Sequence, residues 1–299
     1  MSGDMTTGAY LDIESLSIVL KHEQAHRLLR SVSLHVKPGE VRGLVGESGA
    51  GKSMIGKTIF DILPRAVEIV EGSVTLGGEN LLKLPDSARR KVIARTSALI
   101  PQDPLTALNP VRRIEGQITD RLTRILGFSG PQARERAHAL LDEVHIRDPE
   151  RVLRSYPHQL SGGMRQRVLI AAAFAAEPKL IVADEPTTAL DVTVQKQILR
   201  LISEMQARHG TALLFVTHDL GVVAKICQNV TVLYGGKVVE ETDVKGLFAH
   251  PKHAYTKALI AATPRYDRPE DSLVPVPAAV IEATRAEIAA ADAEWRSGR

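Results

Sequence analysis

Cysteine, long apolar runs and net charge are all scarce in this sequence, and each scarcity excludes a class of protein. A single cysteine, Cys227, among 299 residues excludes an internal disulfide framework and fits a reducing compartment. No run approaches the roughly 20 apolar residues of a membrane helix, and the longest candidate, residues 168–176, follows directly on Arg165 and Arg167. A net charge of +3 is too small to indicate a nucleic-acid surface, which needs a concentrated basic face.

The N-terminal residues 1–10 are small and polar, without the basic and then apolar pattern of a signal peptide. The chain is therefore expected to be soluble and to reach a membrane only by docking onto another protein. Its length fits one main domain with subdomains or an extension.

Short apolar strands alternate with helical patterns along most of the chain. Strands are predicted at residues 11–18, 31–36, 41–45, within 72–82, 97–100, 180–183, 212–216 and 230–234, and helices at 53–62, 131–145, 192–208 and 278–295. Nearly all-apolar strands separated by helices indicate an α/β fold with a mainly parallel sheet covered on both faces. Residues 104–160 change to helical spacing, which predicts an inserted helical lobe.

A glycine-rich segment follows the third strand and precedes a helix. It reads Gly46-Glu47-Ser48-Gly49-Ala50-Gly51-Lys52-Ser53 and fits the pattern G-x-x-x-x-G-K-[ST] of a phosphate-binding loop. The glycines let backbone N–H groups turn inward around phosphate oxygens at a helix N-terminus. Lys52 is then expected to reach the β and γ phosphates, and the Ser53 hydroxyl to ligate Mg²⁺.

Two adjacent carboxylates follow a buried strand much later in the chain. Four apolar residues, 180–183, deliver Asp184 and Glu185 to the C-terminal edge of a parallel sheet, where ligands bind in α/β folds. We expect Asp184 to face the metal and Glu185 to act as the base for an attacking water. Acidic residues after a strand are also favoured at a helix N-terminus, so the pair alone is a weak signal of catalysis. Together with the phosphate loop it becomes a strong one.

A second anion-binding pattern opens another helix, about a hundred residues after the first. The segment 160–167 reads L-S-G-G-M-R-Q-R and places the hydroxyl of Ser161 before Gly162 and Gly163. One nucleotide does not need two such cradles. The second is therefore expected to serve a nucleotide held by another subunit, the alternative being a capped helix with a close glycine contact.

These three motifs make the chain similar to the nucleotide-binding subunit of ABC transporters over about residues 10–260. The resemblance implies that Gln102 is the Q-loop glutamine, which contacts Mg²⁺ and senses the membrane subunit. It implies that Ser161, Gly162, Gly163 and Gln166 belong to the signature motif facing the partner's nucleotide. His218, in V-T-H-D, resembles the switch histidine that contacts the γ-phosphate, and residues 189–191 resemble the loop that crosses the dimer interface.

The resemblance also implies an architecture and a set of ligands. The expected fold is an α/β P-loop (RecA-like) core with an antiparallel β subdomain and an inserted helical subdomain. Two subunits would enclose two ATP molecules, each between one phosphate loop and the opposite signature. ATP and Mg²⁺ are the expected ligands, and Ser53, Gln102 and Asp184 the expected metal contacts.

A narrower likeness points to importers of dipeptides and oligopeptides, and within them to the D-type ATPase. The segments that resemble this class are D-P-L-T-A-L-N-P at 103–110, Y-P-H-Q-L-S-G-G-M at 156–164, E-P-T-T-A-L-D-V-T at 185–193 and P-K-H-A-Y-T at 251–256. We therefore predict an ATPase domain at 10–250, with its helical subdomain at about 104–160, and an importer-type C-terminal extension at 251–299.

The importer likeness implies the chain's surroundings. The expected partners are two transmembrane permeases, a second related ATPase and a periplasmic or extracellular solute-binding protein, with no nucleic acid. The expected location is peripheral, on the cytoplasmic face of the bacterial inner membrane.

The sequence departs from its relatives in two places. Many relatives hold an iron–sulfur centre with a cysteine cluster in the C-terminal extension, and no cysteine follows Cys227 here, so no such cluster is expected. Relatives commonly stack the adenine on an aromatic ring before the phosphate loop, whereas no Phe, Tyr or Trp lies between Tyr10 and Phe60. His22, His26 or Arg27 is a candidate replacement, as are aliphatic contacts.

Rival functions share the same motifs. A chromosome-maintenance ATPase would need a long coiled coil, and no sustained heptads occur. A translation-associated protein usually holds two cassettes, and this chain has one. An exporter ATPase, or an importer of nickel or oligosaccharides, remains an alternative to a peptide importer.

Overall fold

The glycine-rich loop and the paired carboxylates fall in different structural units of the chain. The computed structural model describes residues 8–188, 190–263 and 275–298. Unit 1 contains the chain up to residue 36, residues 41–83 and everything from residue 215 onward, and unit 2 contains residues 37–40 and 84–214.

Unit 1 contains most of the strands. They are β1 Leu11–Leu20, β2 Glu23–Val36, β3 Val41–Val45, β4 Val67–Leu76, β5 Glu79–Asn80, β9 Asn229–Tyr234 and β10 Lys237–Asp243. Four of these strands, β1, β2, β4 and β5, form an antiparallel sheet in the order β2-β1-β4-β5. Ile13 lies opposite Leu34 on one side and Val74 on the other, and all three are buried. The predicted antiparallel subdomain is therefore present, although β2 begins eight residues before the predicted strand.

A second set of strands in unit 1 supports the glycine-rich loop. β3 pairs in parallel with β9, which pairs antiparallel with β10. The helices of this unit are α1 Lys52–Ile59, α9 Leu220–Ile226, α10 Val244–Ala249, α11 Ala254–Ala262 and α12 Ala278–Ser297. Every residue of β3 is buried, including Arg42 within the mostly apolar sequence.

Unit 2 is built around a parallel strand pair and a group of helices. The strands are β6 Ser97–Ile100 and β7 Leu180–Asp184, and β8 Ala212–Thr217 begins in this unit and ends in unit 1. The helices are α2 Asp86–Thr96, α3 Pro104–Ala107, α4 Ile114–Arg124, α5 Gly130–Glu143, α6 Pro149–Arg154, α7 Gly162–Phe174 and α8 Val192–His209. Four of them, α3 to α6, fill the stretch where the sequence predicts a helical lobe.

The best-defined helix start in that lobe is at α5. Ser129 accepts the N–H of Gln132 and the Gln132 side chain accepts the N–H of Ser129, which is a capping box. The apolar side chains Ala133, Ala137, Leu140 and Leu141 repeat at helical spacing and are buried. Among the helices that the structure describes, none is long and apolar enough to span a membrane.

Candidate functional site

The phosphate loop begins at Gly46, directly after β3, where the neighbouring strand β9 leaves no room for a side chain. A Cβ on Gly46 would lie 2.2 Å from the carbonyl oxygen of Leu233 in β9, so only glycine fits without moving backbone. Glu47, Ser48 and Gly49 are exposed, whereas Ala50 is buried and anchors the loop. The loop therefore presents its middle to solvent and is fixed at both ends.

The N-terminus of α1 is arranged for an anion. Its N-cap is Gly51, which offers no side-chain acceptor, and the first turn contains no acidic residue. The first-turn N–H groups of a helix have no partner within the helix, and their dipoles favour negative charge. Ser53 is exposed in this first turn. This is the geometry in which helix N-termini bind phosphate.

Lys52 lies folded against the same loop. Its side chain is 5% exposed, and its Nζ donates hydrogen bonds to the carbonyl oxygens of Gly46, at 2.7 Å, and Glu47, at 2.9 Å. The two carbonyls hold the ammonium group within the curve of the loop. A cation in this position is suited to phosphate oxygens bound by the loop.

A contact that the sequence did not reveal joins the phosphate loop to the C-terminal region. Tyr255 is fully buried, and burial together with the negative charge of Glu47 raises the pKa of its hydroxyl well above the ordinary tyrosine value. The ring packs on Tyr234, with 4.5 Å between ring centroids. The only sequence signal was the P-K-H-A-Y-T motif, which gives no indication of what its tyrosine touches.

In unit 2, the structure brings Gln102 and Glu185 together. β6 and β7 pair in parallel, so the residues that follow them meet at one edge of the sheet. Gln102 Nε2 lies 3.3 Å from Glu185 Oε2, which also accepts the hydroxyl of Thr188 at 2.9 Å. Both donors fix the direction in which the carboxylate points.

The backbone of Glu185 is in an uncommon conformation. Its φ is 45°, in the left-handed region that non-glycine residues rarely occupy. Such conformations cost roughly 1–3 kcal/mol and cluster at functional sites, where the surrounding structure over-determines them. The strain at Glu185 thus agrees with a chemical role.

Asp184 ends β7 and is half-buried. Within the described ranges 8–188, 190–263 and 275–298, no three His, Cys, Asp or Glu side chains converge as a metal site. Mg²⁺ does not require such a cluster, since it is usually held by one or two carboxylates with substrate phosphates and water. The hard oxygen donors of Ser53, Gln102 and Asp184 are the chemical type that Mg²⁺ takes.

The second glycine-containing segment, Ser161 to Gly163, lies at the start of α7. Ser161 is its N-cap, exposed, and its Oγ accepts the N–H of Met164 at 3.3 Å, which leaves the hydroxyl proton available for donation. Gly162 is exposed and Gly163 half-buried. Gln166, by contrast, is 1% exposed and donates to the Pro186 carbonyl at 2.8 Å, so it ties α7 to the residue after Glu185.

His218 follows β8 and is exposed. Its neighbour Asp219 caps α9 by accepting the N–H groups of Gly221 and Val222. In the predicted interface loop, Ala189 lies outside the described residues, and Asp191 is the N-cap of α8.

The three candidates for the base contact have different environments. His22 and His26 are exposed, whereas Arg27 is buried. The Arg27 guanidinium donates to Ser17 Oγ at 3.2 Å and lies 4.5 Å from the ring centre of Trp295. Its guanidinium group is therefore occupied by contacts within unit 1.

Two protein families match stretches of this sequence. Residues 29–188 match the family described as ABC transporter, and residues 239–288 match the one described as oligopeptide/dipeptide transporter, C-terminal region. The chain is 46% identical to the probable peptide ABC transporter ATP-binding protein y4tR of Sinorhizobium fredii, over 92% of this chain and 83% of the relative. It is 41% identical to the dipeptide transport ATP-binding protein DppD of Escherichia coli, over 91% and 84%.

A solved structure of an ATP-binding cassette has the same fold as this chain. The ATP-binding cassette MJ0796, described as dimeric, post-hydrolysis and bound to ADP and Pi, is 28% identical and superposes with a TM-score of 0.67. The match covers 78% of this chain and 98% of that one.

Proposed function

Because the chain belongs to the ABC transporter family of ATPases, we propose that it powers the import of dipeptides or oligopeptides. It has the α/β fold of ABC ATPase cassettes, with a P-loop core. The observation that carries the peptide assignment is the match of residues 239–288 to the C-terminal region of oligopeptide and dipeptide transporters. The ATPase match alone would fit any ABC system.

In the proposed mechanism, the phosphate loop positions ATP. The N–H groups of Gly46–Ser53 and the α1 N-terminus bind its phosphates, and Lys52 neutralises the β and γ oxygens. When bound, Mg²⁺ would supply positive charge that offsets the negative charge of the triphosphate. Ser53, Gln102 and Asp184 would hold it.

Glu185 is proposed to be the base that takes a proton from the attacking water. Gln102 and Thr188 donate to the same carboxylate oxygen, Oε2, and so orient the carboxylate for this role. His218 is proposed to contact the γ-phosphate, as its resemblance to the switch histidine implies. Ser161, Gly162 and Gly163 are proposed to close over a nucleotide bound by a second ATPase, and Gln166 to support that loop from within.

The proposed assembly has two transmembrane permeases, a second related ATPase and a solute-binding protein outside the membrane. The chain would lie on the cytoplasmic face of the bacterial inner membrane. Residues 10–250 would form the ATPase domain, with its helical subdomain at about 104–160, and residues 251–299 the extension. ATP binds better to the closed arrangement of the two ATPase subunits, so nucleotide binding shifts their population toward the closed state.

The test is solute uptake in cells that lack the chromosomal copy of this chain. Wild type is expected to restore uptake of a radiolabelled dipeptide, and Lys52→Ala, at matched expression, to restore none. Nickel and a labelled oligosaccharide serve as alternative solutes. Restored uptake of either of these, with no effect on peptides, would overturn the peptide assignment but not the ATPase.

A further inference from the structure

A cavity of about 300 Å³ opens beside the phosphate loop, and the C-terminal helix α12 forms one of its walls. The residues that matter in its lining are Gly49 of the loop, His26 and Arg30 of β2, Gly235 after β9, and Arg285 and Ile288 of α12. All of them belong to unit 1. Small-ligand pockets begin at about this size, roughly 300 Å³.

A set of ionic and aromatic contacts holds α12 in this place. Asp292 accepts hydrogen bonds from Arg30 Nε, at 2.9 Å to Oδ1 and 3.1 Å to Oδ2, and from Arg30 Nη2 at 2.8 Å. Its Oδ1 lies 3.4 Å from Arg27 Nη1. The Trp295 indole N–H donates to Glu71 at 3.0 Å while its ring faces the Arg27 guanidinium. The cavity wall is therefore fixed at the end of the helix that lies beyond Arg285 and Ile288.

Gly235 allows the helix to approach the cavity closely. Its φ is 51°, and a Cβ at this position would lie 2.6 Å from Cδ1 of Ile288. Its carbonyl oxygen accepts Nη1 of Arg30 at 2.6 Å. Glycine thus lets the turn and the helix touch at the rim of the cavity.

The chemistry of the lining suits the base and sugar of a nucleotide. A planar guanidinium stacks on aromatic faces, and an aliphatic side chain packs against them. Arg285 is exposed and Ile288 half-buried, so both present surface to a ligand. Tyr234, the tyrosine in the lining, is packed against Tyr255 and only 8% exposed.

We propose that this cavity receives the base and ribose of the nucleotide whose phosphates occupy Gly46–Ser53, and that Arg285 and Ile288 contact the base. The proposal rests on the proposed function, because it takes that loop to bind ATP. It makes α12 a part of the nucleotide site and assigns a base contact to a chain without an aromatic residue between Tyr10 and Phe60.

The experiment compares ATP with inorganic tripolyphosphate, which has the phosphates without base or sugar, by calorimetric titration of the full chain. Arg285→Ala is expected to weaken ATP binding at least about fivefold and to leave tripolyphosphate within about twofold of wild type. Ile288→Ala should act in the same direction. Arg296→Ala removes an exposed arginine from the same helix outside the cavity lining and should change neither ligand.

Unchanged ATP affinity in Arg285→Ala and Ile288→Ala would overturn the inference. Equal weakening of ATP and tripolyphosphate would also overturn it, because the arginine would then act on the phosphates. The proposed function fails separately, if wild type does not bind ATP or if Lys52→Ala binds it as tightly as wild type. Melting temperatures of all variants show whether a loss of affinity reflects unfolding.

Discussion

Glu185 combines a strained backbone with a carboxylate whose direction is fixed. Its φ is 45°, and Thr188 and Gln102 both donate to Oε2 of its carboxylate. A positioned base contributes typically 10²–10⁴-fold to a rate, and an amide cannot accept the water's proton.

We therefore expect Glu185→Gln to retain ATP binding and to lose at least about 100-fold in turnover within the assembled transporter. Phosphate release and ATP titration measure the two quantities. Glu177→Gln is a matched control, since Glu177 also has a positive φ, of 47°, and precedes β7 instead of following it. Turnover of Glu185→Gln within tenfold of wild type would remove the base assignment.

Selectivity for the base depends on the side chains that contact it. Stacking of a base on an aromatic ring is worth roughly 1–3 kcal/mol, and guanidinium and aliphatic contacts distinguish purines poorly. We expect GTP to compete within about tenfold of ATP in a displacement titration of the wild-type chain. A stronger preference for ATP would mean that a hydrogen-bonding group reads the adenine.

At the scale of elements, Glu240 anchors the start of α11 from β10. Its carboxylate accepts the N–H groups of Lys252 and His253, at 2.8 and 3.0 Å, and His253 Nδ1 accepts the N–H of Tyr255. Burial acts to raise the pKa of Glu240, but these hydrogen bonds outweigh it and hold the pKa below the ordinary value.

The sign of the pH effect follows from that direction. The lowered folded-state pKa means that the charge of Glu240 stabilises the fold above the unfolded pKa of about 4.3, and that this stability is lost as pH falls through the folded pKa. Glu240→Gln should lower the melting temperature at pH 7 by roughly 3–6 °C. The gap to wild type should shrink below about pH 4. Glu282→Gln, on an exposed position of α12, is the control and should show no such gap.

The attachment of α12 depends on Asp292. Removing its charge leaves Arg27, which is 4% exposed, without its carboxylate, and breaking a buried pair costs about 3–5 kcal/mol. In Asp292→Asn, hydrogen exchange of residues 278–297 should speed up at least about tenfold relative to wild type. Glu294→Gln, at an exposed position of the same helix, should leave it unchanged. Unaltered protection in Asp292→Asn would show that Trp295 and the apolar contacts suffice.

The whole chain has two glycine-containing helix starts of the kind that bind anions, at α1 and α7. One nucleotide needs one phosphate cradle, so Ser161 is expected to act on a partner's nucleotide, with N–H donors and a helix dipole facing the transition-state charge. The purified chain alone should then hydrolyse ATP slowly.

The test combines Ser161→Arg in this chain with a wild-type partner ATPase and traps nucleotide by photolabelling. Hydrolysis should be lost at the partner's phosphate loop, while the Lys52 loop of this chain still binds ATP. Arg154→Ala, at an exposed position in unit 2, is a control for surface charge. If Ser161→Arg instead blocks only ATP bound to this chain's own loop, the shared-site model is wrong.

The sequence by itself determined the strands next to the candidate site, and it supplied the candidates for the residues that do the chemistry. β3, β6 and β7 are short, mostly apolar and mostly buried, and local patterning is enough to predict such strands. The phosphate loop is similarly local, because its glycines, lysine and serine follow one another along eight residues. The resemblance to ABC ATPases followed from these motifs, and the family match confirms it.

Only the tertiary structure decided which residues of the C-terminal region contact the phosphate loop and the strands beside it. The start of β2 was missed because Arg27 and Arg30 interrupt its apolar pattern, and the carboxylate that balances them, Asp292, lies more than 260 residues away along the chain. The same holds for Tyr255 near Glu47 and Ile288 against Gly235. Charge pairing and close packing between distant segments leave no periodic trace in either segment, so a sequence pattern cannot report them.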